Sequence, residues 1–181
     1  MQLFLRSTIS ASWLAALWKM TMPARFASQE SSGLSKSAAT GINDLSTVTL
    51  DTVTGLPRFN MPLELGLFLG CKRFGARNQS NKRILILDSE QYRYRQFISD
   101  ISGQDIRAHG GDPARAIRAV RDWLQATSKR RGLAGGGEIV EHYRRFHAAL
   151  PTTCREAELE PDKLTFIDLS TVITDWLRVN R

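Results

Sequence analysis

The chain has 181 residues, 42% of them hydrophobic and 24% charged, with 25 Lys plus Arg against 18 Asp plus Glu and two cysteines. That length and apolar content suit one domain with a real core and exclude a disordered chain. Cys71 and Cys154 are too few for a disulfide framework, and no stretch approaches the ~20 continuous apolar residues of a membrane helix. The formal net charge of +7 is concentrated in residues 61–132, which hold 14 basic and 7 acidic residues. Such a balance fits phosphate-bearing partners, or else a solvated basic surface.

In chain order, residues 1–29 carry Arg6, Lys19 and Arg25 and no acid. They have the composition of an organelle-targeting segment, but an amphipathic helix from Leu3 to Lys19 is the preferred reading. Pro23–Ala27 reads as a short strand and Ser28–Thr40 as a loop or weak helix. Gly41–Leu45 reads as a short buried strand, followed by a loop to Phe59. Asn60 opens a helix that runs to about Phe74. Apolar residues occur on every side of it, which predicts burial all round. Gly66 and Gly70 on that helix predict close approach of another backbone.

Arg83–Asp88 is a continuous apolar run between a basic loop and an acid, the pattern of a central parallel strand. Tyr92–Ile98 reads as the start of another helix. Asp112-Pro113 marks a helix start, with Asp112 as cap and Pro113 in the first position. Ile117, Val120 and Leu124 form the core stripe of that helix. Gly135–Gly137 interrupts the chain, Glu138–Leu150 is a helix closed by Pro151, Leu164–Asp168 is a strand candidate, and Val172–Val179 is a last helix. Strands alternating with helices predict a three-layer α/β fold with a short, mainly parallel sheet. In such sheets ligands bind beyond the carboxyl ends of the strands. Asn43, Asp44, Asp88 and the helix start at Asn60 fall at such ends.

Glu64 is the only charged side chain from Met61 to Cys71. A carboxylate on an apolar helix costs several kcal/mol, roughly, unless it is paired or hydrogen-bonded. Two readings explain it. If Met61 is the helix cap, Glu64 falls at the third helical position and bonds back to the helix end. Otherwise it faces a ligand cleft, where an ionised carboxylate suits a nucleophile or the stabiliser of a cationic sugar-like transition state. Asp44 is its candidate partner, since glycoside chemistry uses paired carboxylates. The alternative for Asp44 is to cap a turn with Ser46.

His109, His142 and His147 form no metal pattern, and each reads as a surface or partly buried histidine. Tyr92-Arg93-Tyr94-Arg95-Gln96-Phe97 interleaves aromatic and basic residues. That pattern stacks single-stranded nucleic acid, but it more often marks a helix with core aromatics and solvated arginines. Arg115, Arg118 and Arg121 form a candidate anion-binding ridge or a solvated face. No Walker loop, dinucleotide fingerprint or nucleophile elbow is present.

The stretches Gly41-Ile-Asn-Asp-Leu-Ser46, Gly55 to Gly70 and Tyr92 to Ile106 together resemble an uncharacterised group of bacterial TIR-like proteins. That group is similar in turn to nucleoside 2-deoxyribosyltransferases. The shared hallmark is a Glu-Leu-Gly segment at a helix start after a strand ending in Asp, here Glu64-Leu65-Gly66 and Asp44. The resemblance covers residues 41–130 and implies a flavodoxin/TIR-like sheet. It also implies a carboxylate, Glu64, acting at the anomeric carbon of NAD or a nucleoside. Asp44 would be a second catalytic residue, with Asn43, Asn60 and Asp88 around the ligand.

The strand that opens such folds is not evident before Leu3, so the sheet is expected to lack it. The resulting division is a TIR-like domain over 1–130 and a helical C-terminal extension over 131–181 packed on it. The expectation is a cytoplasmic, nucleotide-binding chain whose partners are a small-molecule nucleotide and a second copy of itself. It uses no metal or cofactor, engages no membrane, and takes NAD or a nucleoside as substrate. The competing readings are a non-catalytic interaction domain of the same fold and a basic nucleic-acid-binding module, the latter the weaker.

Overall fold

The computed structural model describes residues 40–48, 50, 55–57, 59–128 and 133–180. The readings for residues 1–39, including the first helix, the strand at Pro23–Ala27 and the missing front strand, lie outside the described residues. So does part of the loop before Phe59.

Three parallel strands form one sheet in the order β1 (Thr40–Asp44), β2 (Arg83–Asp88), β3 (Asp105–Ala108). Ile42 stands opposite Leu85 and Asp44 opposite Leu87, while Asp88 stands opposite Ala108. β2 is central, and every residue of it after Arg83 is buried. Its side chains alternate between two layers, as a strand's period of two dictates. Ile84 and Ile86 join Leu45, Leu65, Phe68, Tyr94 and Ile101 on one face. Leu85 and Leu87 join Ala116, Ile117, Val120, Trp123 and Leu124 on the other. Helices on both faces of a parallel sheet make the fold α/β and three-layered.

The helix α1 (Asn60–Phe74) covers the first face and links β1 to β2. It buries only Leu65 and Phe68, and Leu63, Leu67 and Phe74 are exposed, Phe74 by 83%. The expectation of burial all round is thus corrected. Among the described residues the sheet is three strands wide with β1 at its edge, so there α1 has one layer to pack on. The close approach falls at Gly41, where a Cβ would stand 3.1 Å from the Phe68 ring. Around Gly66 and Gly70, apart from their chain neighbours and the helix's own backbone, no described heavy atom lies within 4 Å of such a position.

The expected helix from Tyr92 is instead two short 3-10 turns, Arg93–Gln96 and Ser99–Ile101. Tyr92 has φ of 64°, which no continuous right-handed helix accommodates. β3, which follows, was not anticipated. Helix α2 (Pro113–Ser128) begins where expected, and the Asp112 carboxylate accepts the Ala114 N–H at 2.8 Å. Trp123 Nε1 donates to Asp105 at 3.2 Å and ties α2 to β3.

Helix α3 (Gly136–Glu156) does not stop at Pro151. Pro removes one backbone donor, but Leu150 and Cys154 on either side of it are both buried and hold the last turns in place. The first half of α3 packs Ile139 and Val140 beside α2. The second half packs Phe146, Leu150 and Cys154 against Leu169, Val172, Ile173 and Trp176 of α4 (Phe166–Val179). The strand candidate at Leu164–Asp168 is therefore the start of α4. Thr165 is its cap: the Asp168 N–H donates to the Thr165 hydroxyl at 3.2 Å, and the Thr165 N–H donates to the Asp168 carboxylate at 3.0 Å. A reciprocal capping box outweighs the β-propensity of a five-residue run.

The side chain of Arg93 links several of these elements. It donates to Asp88 at 2.6 Å and to the carbonyls of Leu45 and Val48 at 3.1 and 2.6 Å. The Asp88 side chain is wholly buried. Arg93→Met is expected to cost about 3–5 kcal/mol in urea unfolding, because it leaves a buried carboxylate without its cation. A loss below about 1 kcal/mol would mean that the pair behaves like a surface ion pair.

A second expectation concerns acid. The Thr165 hydroxyl, and then its backbone N–H, hold the Asp168 carboxyl below the usual carboxylate range. A carboxyl lowered on folding stabilises above its unfolded pKa, and that contribution is lost as pH falls through the folded value. The helicity of α4 therefore declines on acidification, and Asp168→Asn flattens the decline. Amide exchange of the first turn of α4 across an acid titration reads both.

Candidate functional site

The carboxyl ends of the three strands gather Asn43, Asp44, Asp88 and His109, all buried. Asn43 ends β1 on the α1 side, and its side-chain amide donates to the Met61 carbonyl at 3.5 Å. Asp44 follows the strand alternation to the other side, where Ile42 packs with the α2 layer. One Asp44 oxygen, Oδ1, accepts the Ser46 N–H at 2.9 Å. Asp44 thus makes the turn that the alternative reading assigned to it. Its Oδ2 has no hydrogen-bond partner among the described residues.

His109 directly follows β3 and is 1% exposed. Its Nε2 lies 3.5 Å from Asp44 Oδ1, which is too long for a good hydrogen bond. Its Nδ1 accepts the Gly111 N–H at 3.0 Å. An imidazole that accepts at Nδ1 carries its proton at Nε2, so this contact assigns the tautomer and aims an N–H at Asp44. Gly110 and Gly111 make this possible with φ of 64° and 72°. The positive φ at both positions is what makes this turn favour glycine, since the Arg115 Nη1 that a Cβ at Gly110 would approach at 2.9 Å is the far end of a flexible side chain. The backbone completes the corner: His109 N–H donates to the Asp88 carbonyl and Gly110 N–H to that of Ser89, at 2.9 and 2.8 Å.

Asp88 is more a strut than a free ligand. Its Oδ1 accepts from Ser89 N–H and from Arg93, at 2.7 and 2.6 Å. Asn60 is exposed at the first position of α1. Glu64 is half-buried, and the helix cap is Phe59, so Glu64 stands beyond the first turn and does not cap it. No described residue hydrogen-bonds or pairs with Glu64, Asp44 included. The contact between β1 and the first turn of α1 comes from Asn43, and Asp44 reaches toward the other layer.

Five buried polar atoms lack partners among the described residues at this edge: Asn43 Oδ1, Asp44 Oδ2, Ser46 Oγ, Asp88 Oδ2 and His109 Nε2. Each such atom costs about 1–3 kcal/mol when nothing satisfies it. They lie at the carboxyl end of a parallel sheet, the place where such folds bind ligands. Among the described residues no group of three or more His, Cys, Asp or Glu could hold a metal ion. Of the arginine ridge, Arg115 and Arg118 are exposed and Arg121 is half-buried. Arg121 donates to the Ala134 carbonyl at 3.0 Å and to Asp122, and the Arg118 stem lies against Gly136. In the aromatic-basic stretch Tyr94 is core, Arg93 is the strut already described, and Arg95 stacks over Tyr92 at 4.5 Å.

His109 is the residue that sequence reasoning missed. The available signal was the alternation Asp105-Ile-Arg-Ala108 running into His-Gly-Gly before a capped helix. No family model, curated protein or solved structure matches the chain.

The tautomer is directly measurable. Nitrogen-15 NMR near neutral pH is expected to show His109 with Nε2 protonated and Nδ1 bare. Gly111→Ala, which strains a left-handed position, should cost about 1–3 kcal/mol. It should also weaken the Nδ1 signature. A protonated Nδ1 in the native protein would rule out this assignment.

Proposed function

We propose that the chain is a nucleotide-binding, TIR-like domain that cleaves an N-glycosidic bond in NAD or a nucleoside, with Glu64 acting at the anomeric carbon. The observation that carries this reading is the state of Glu64. It sits in a helix beside the carboxyl edge, half-buried, with no capping role and no cation among the described residues. A carboxylate so placed and unused by the fold suits a nucleophile or the stabiliser of an oxocarbenium-like centre. The resemblance of Glu64-Leu65-Gly66 after Asp44 to the deoxyribosyltransferase-like proteins points the same way.

The reaction breaks the bond between C1 of the sugar and the base nitrogen, and water finally takes the place of the base. With NAD the nicotinamide departs as a neutral ring and needs no acid. With a purine nucleoside the leaving nitrogen needs a proton, which Asp44 would supply only in its protonated form, whereas with NAD its carboxylate stays an acceptor. Asn43, Asn60 and Asp88 are the proposed ligand-binding neighbours.

No helix among the described residues is long and apolar enough to cross a membrane, and we place the chain in the cytoplasm, without a membrane partner. A second reading, a non-catalytic interaction domain, has its own observation: Leu63, Leu67 and Phe74 stand exposed along α1. Self-association belongs to either reading.

Turnover of NAD and of nucleosides by the wild type and by Glu64→Gln separates the two. The catalytic reading expects base release in the wild type and a loss of about 100-fold or more in the variant. Equal rates would remove Glu64 from the chemistry. No turnover in either protein would favour the interaction domain.

A further inference from the structure

We infer that His109 and Asp44 form a two-point grip for a hydroxyl group of a neutral, polyhydroxylated ligand, with His109 Nε2–H donating to the hydroxyl oxygen and Asp44 Oδ2 accepting its proton. The inference rests on the reading of the carboxyl edge as the ligand site, and it adds a binding residue and a chemical preference to it.

Both atoms are buried and unpartnered among the described residues, and they belong to side chains that face one another. The remaining atoms of each side chain are already committed. Asp44 Oδ1 takes the Ser46 N–H and His109 Nδ1 takes the Gly111 N–H. Neither group can turn away without giving up a backbone hydrogen bond. The two open functions are therefore one fixed donor and one fixed acceptor, and a hydroxyl is the smallest carbon-borne group that offers both complements.

The rest of the edge sharpens the preference. Asn43 Oδ1 and Asp88 Oδ2 can only accept, and Ser46 Oγ can do either. The Arg93 guanidinium is occupied by Asp88 and by the carbonyls of Leu45 and Val48. An edge rich in acceptors, whose cation is consumed by the fold, repels phosphate oxygens and attracts hydroxyl or amino protons. A sugar ring meets these demands, and any phosphate on it must point away from the His109 corner.

The test uses the full chain, nitrogen-15 NMR of His109 and binding titrations with adenosine, its 2′-, 3′- and 5′-deoxy analogues, D-ribose and inorganic phosphate. Adenosine is expected to shift the His109 Nε2 signal saturably, and phosphate to leave it unmoved. One deoxy analogue should bind about tenfold or more weakly than adenosine. That penalty should vanish in His109→Leu and persist in part in His109→Gln, which keeps an N–H donor. Asp44→Asn, which keeps an acceptor for the Ser46 N–H, should also weaken adenosine binding, with unchanged urea unfolding showing that the fold is kept.

Adenosine binding with no analogue penalised, or with the same penalty in wild type and His109→Leu, would overturn the grip and leave the nucleoside reading standing. If D-ribose shifts His109 while adenosine does not bind, the grip stands and the nucleoside reading falls. A shift with phosphate, or none with either sugar, would overturn the grip.

Discussion

The arrangement of the carboxyl edge depends on one half-buried cation. The Arg93 guanidinium reaches from the first 3-10 turn into the interior, bonds Asp88 at the end of β2, and takes two carbonyls from the chain leaving β1. The charge of Asp88 is balanced where no water reaches it, and the segment after Asp44 is fixed relative to the central strand. Asp44 and Ser46 sit directly in that segment. Their geometry is thus inherited from an ion pair to which neither of them belongs. The cost of desolvating such a pair is repaid only because the guanidinium meets several acceptors at once.

A second constraint is the width of the sheet. β2 is buried on both faces and gives each layer its apolar floor. Among the described residues β1 is an edge, and the helix above it finds support along one side only. This one fact accounts for the exposed leucines of α1 and for a half-buried Glu64 in place of a sealed one. A carboxylate on the flank of a helix at a sheet edge is partly hydrated, which makes it tolerable to the fold and accessible to a ligand.

Much of the frame was legible in the sequence because the signals were local. The apolar run Ile84–Leu87 and the Asp112-Pro113 start each encode an element within a few residues. The misreadings occurred where a distant partner decides. β3 has one strongly apolar residue, Ile106, and pairs because β2 offers it a ladder. The propensity of residues 164–168 favours a strand, and the capping box of Thr165 and Asp168 overrides it. Pro151 is a local stop signal, yet buried Leu150 and Cys154 carry the helix across it. In the site, Asn43, Asp44 and Asp88 were placed correctly at strand ends by the polarity that follows an apolar run. His109 was not, because its role depends on a strand that was missed and on a turn that only two left-handed glycines can make.

Helix α3 has a mechanical consequence. Its first half belongs to the apolar cluster that includes β2, and its second half belongs to a separate cluster shared with α4. At 21 residues it spans roughly 30 Å, long enough to act as a lever between the two. Opening of the α3–α4 pair leaves the contacts of β2 with α2 intact. Among the described residues, the packing that joins α4 to the sheet runs through α3 and the α3–α2 seam. That seam involves the same helix whose first turn follows Gly110 and Gly111.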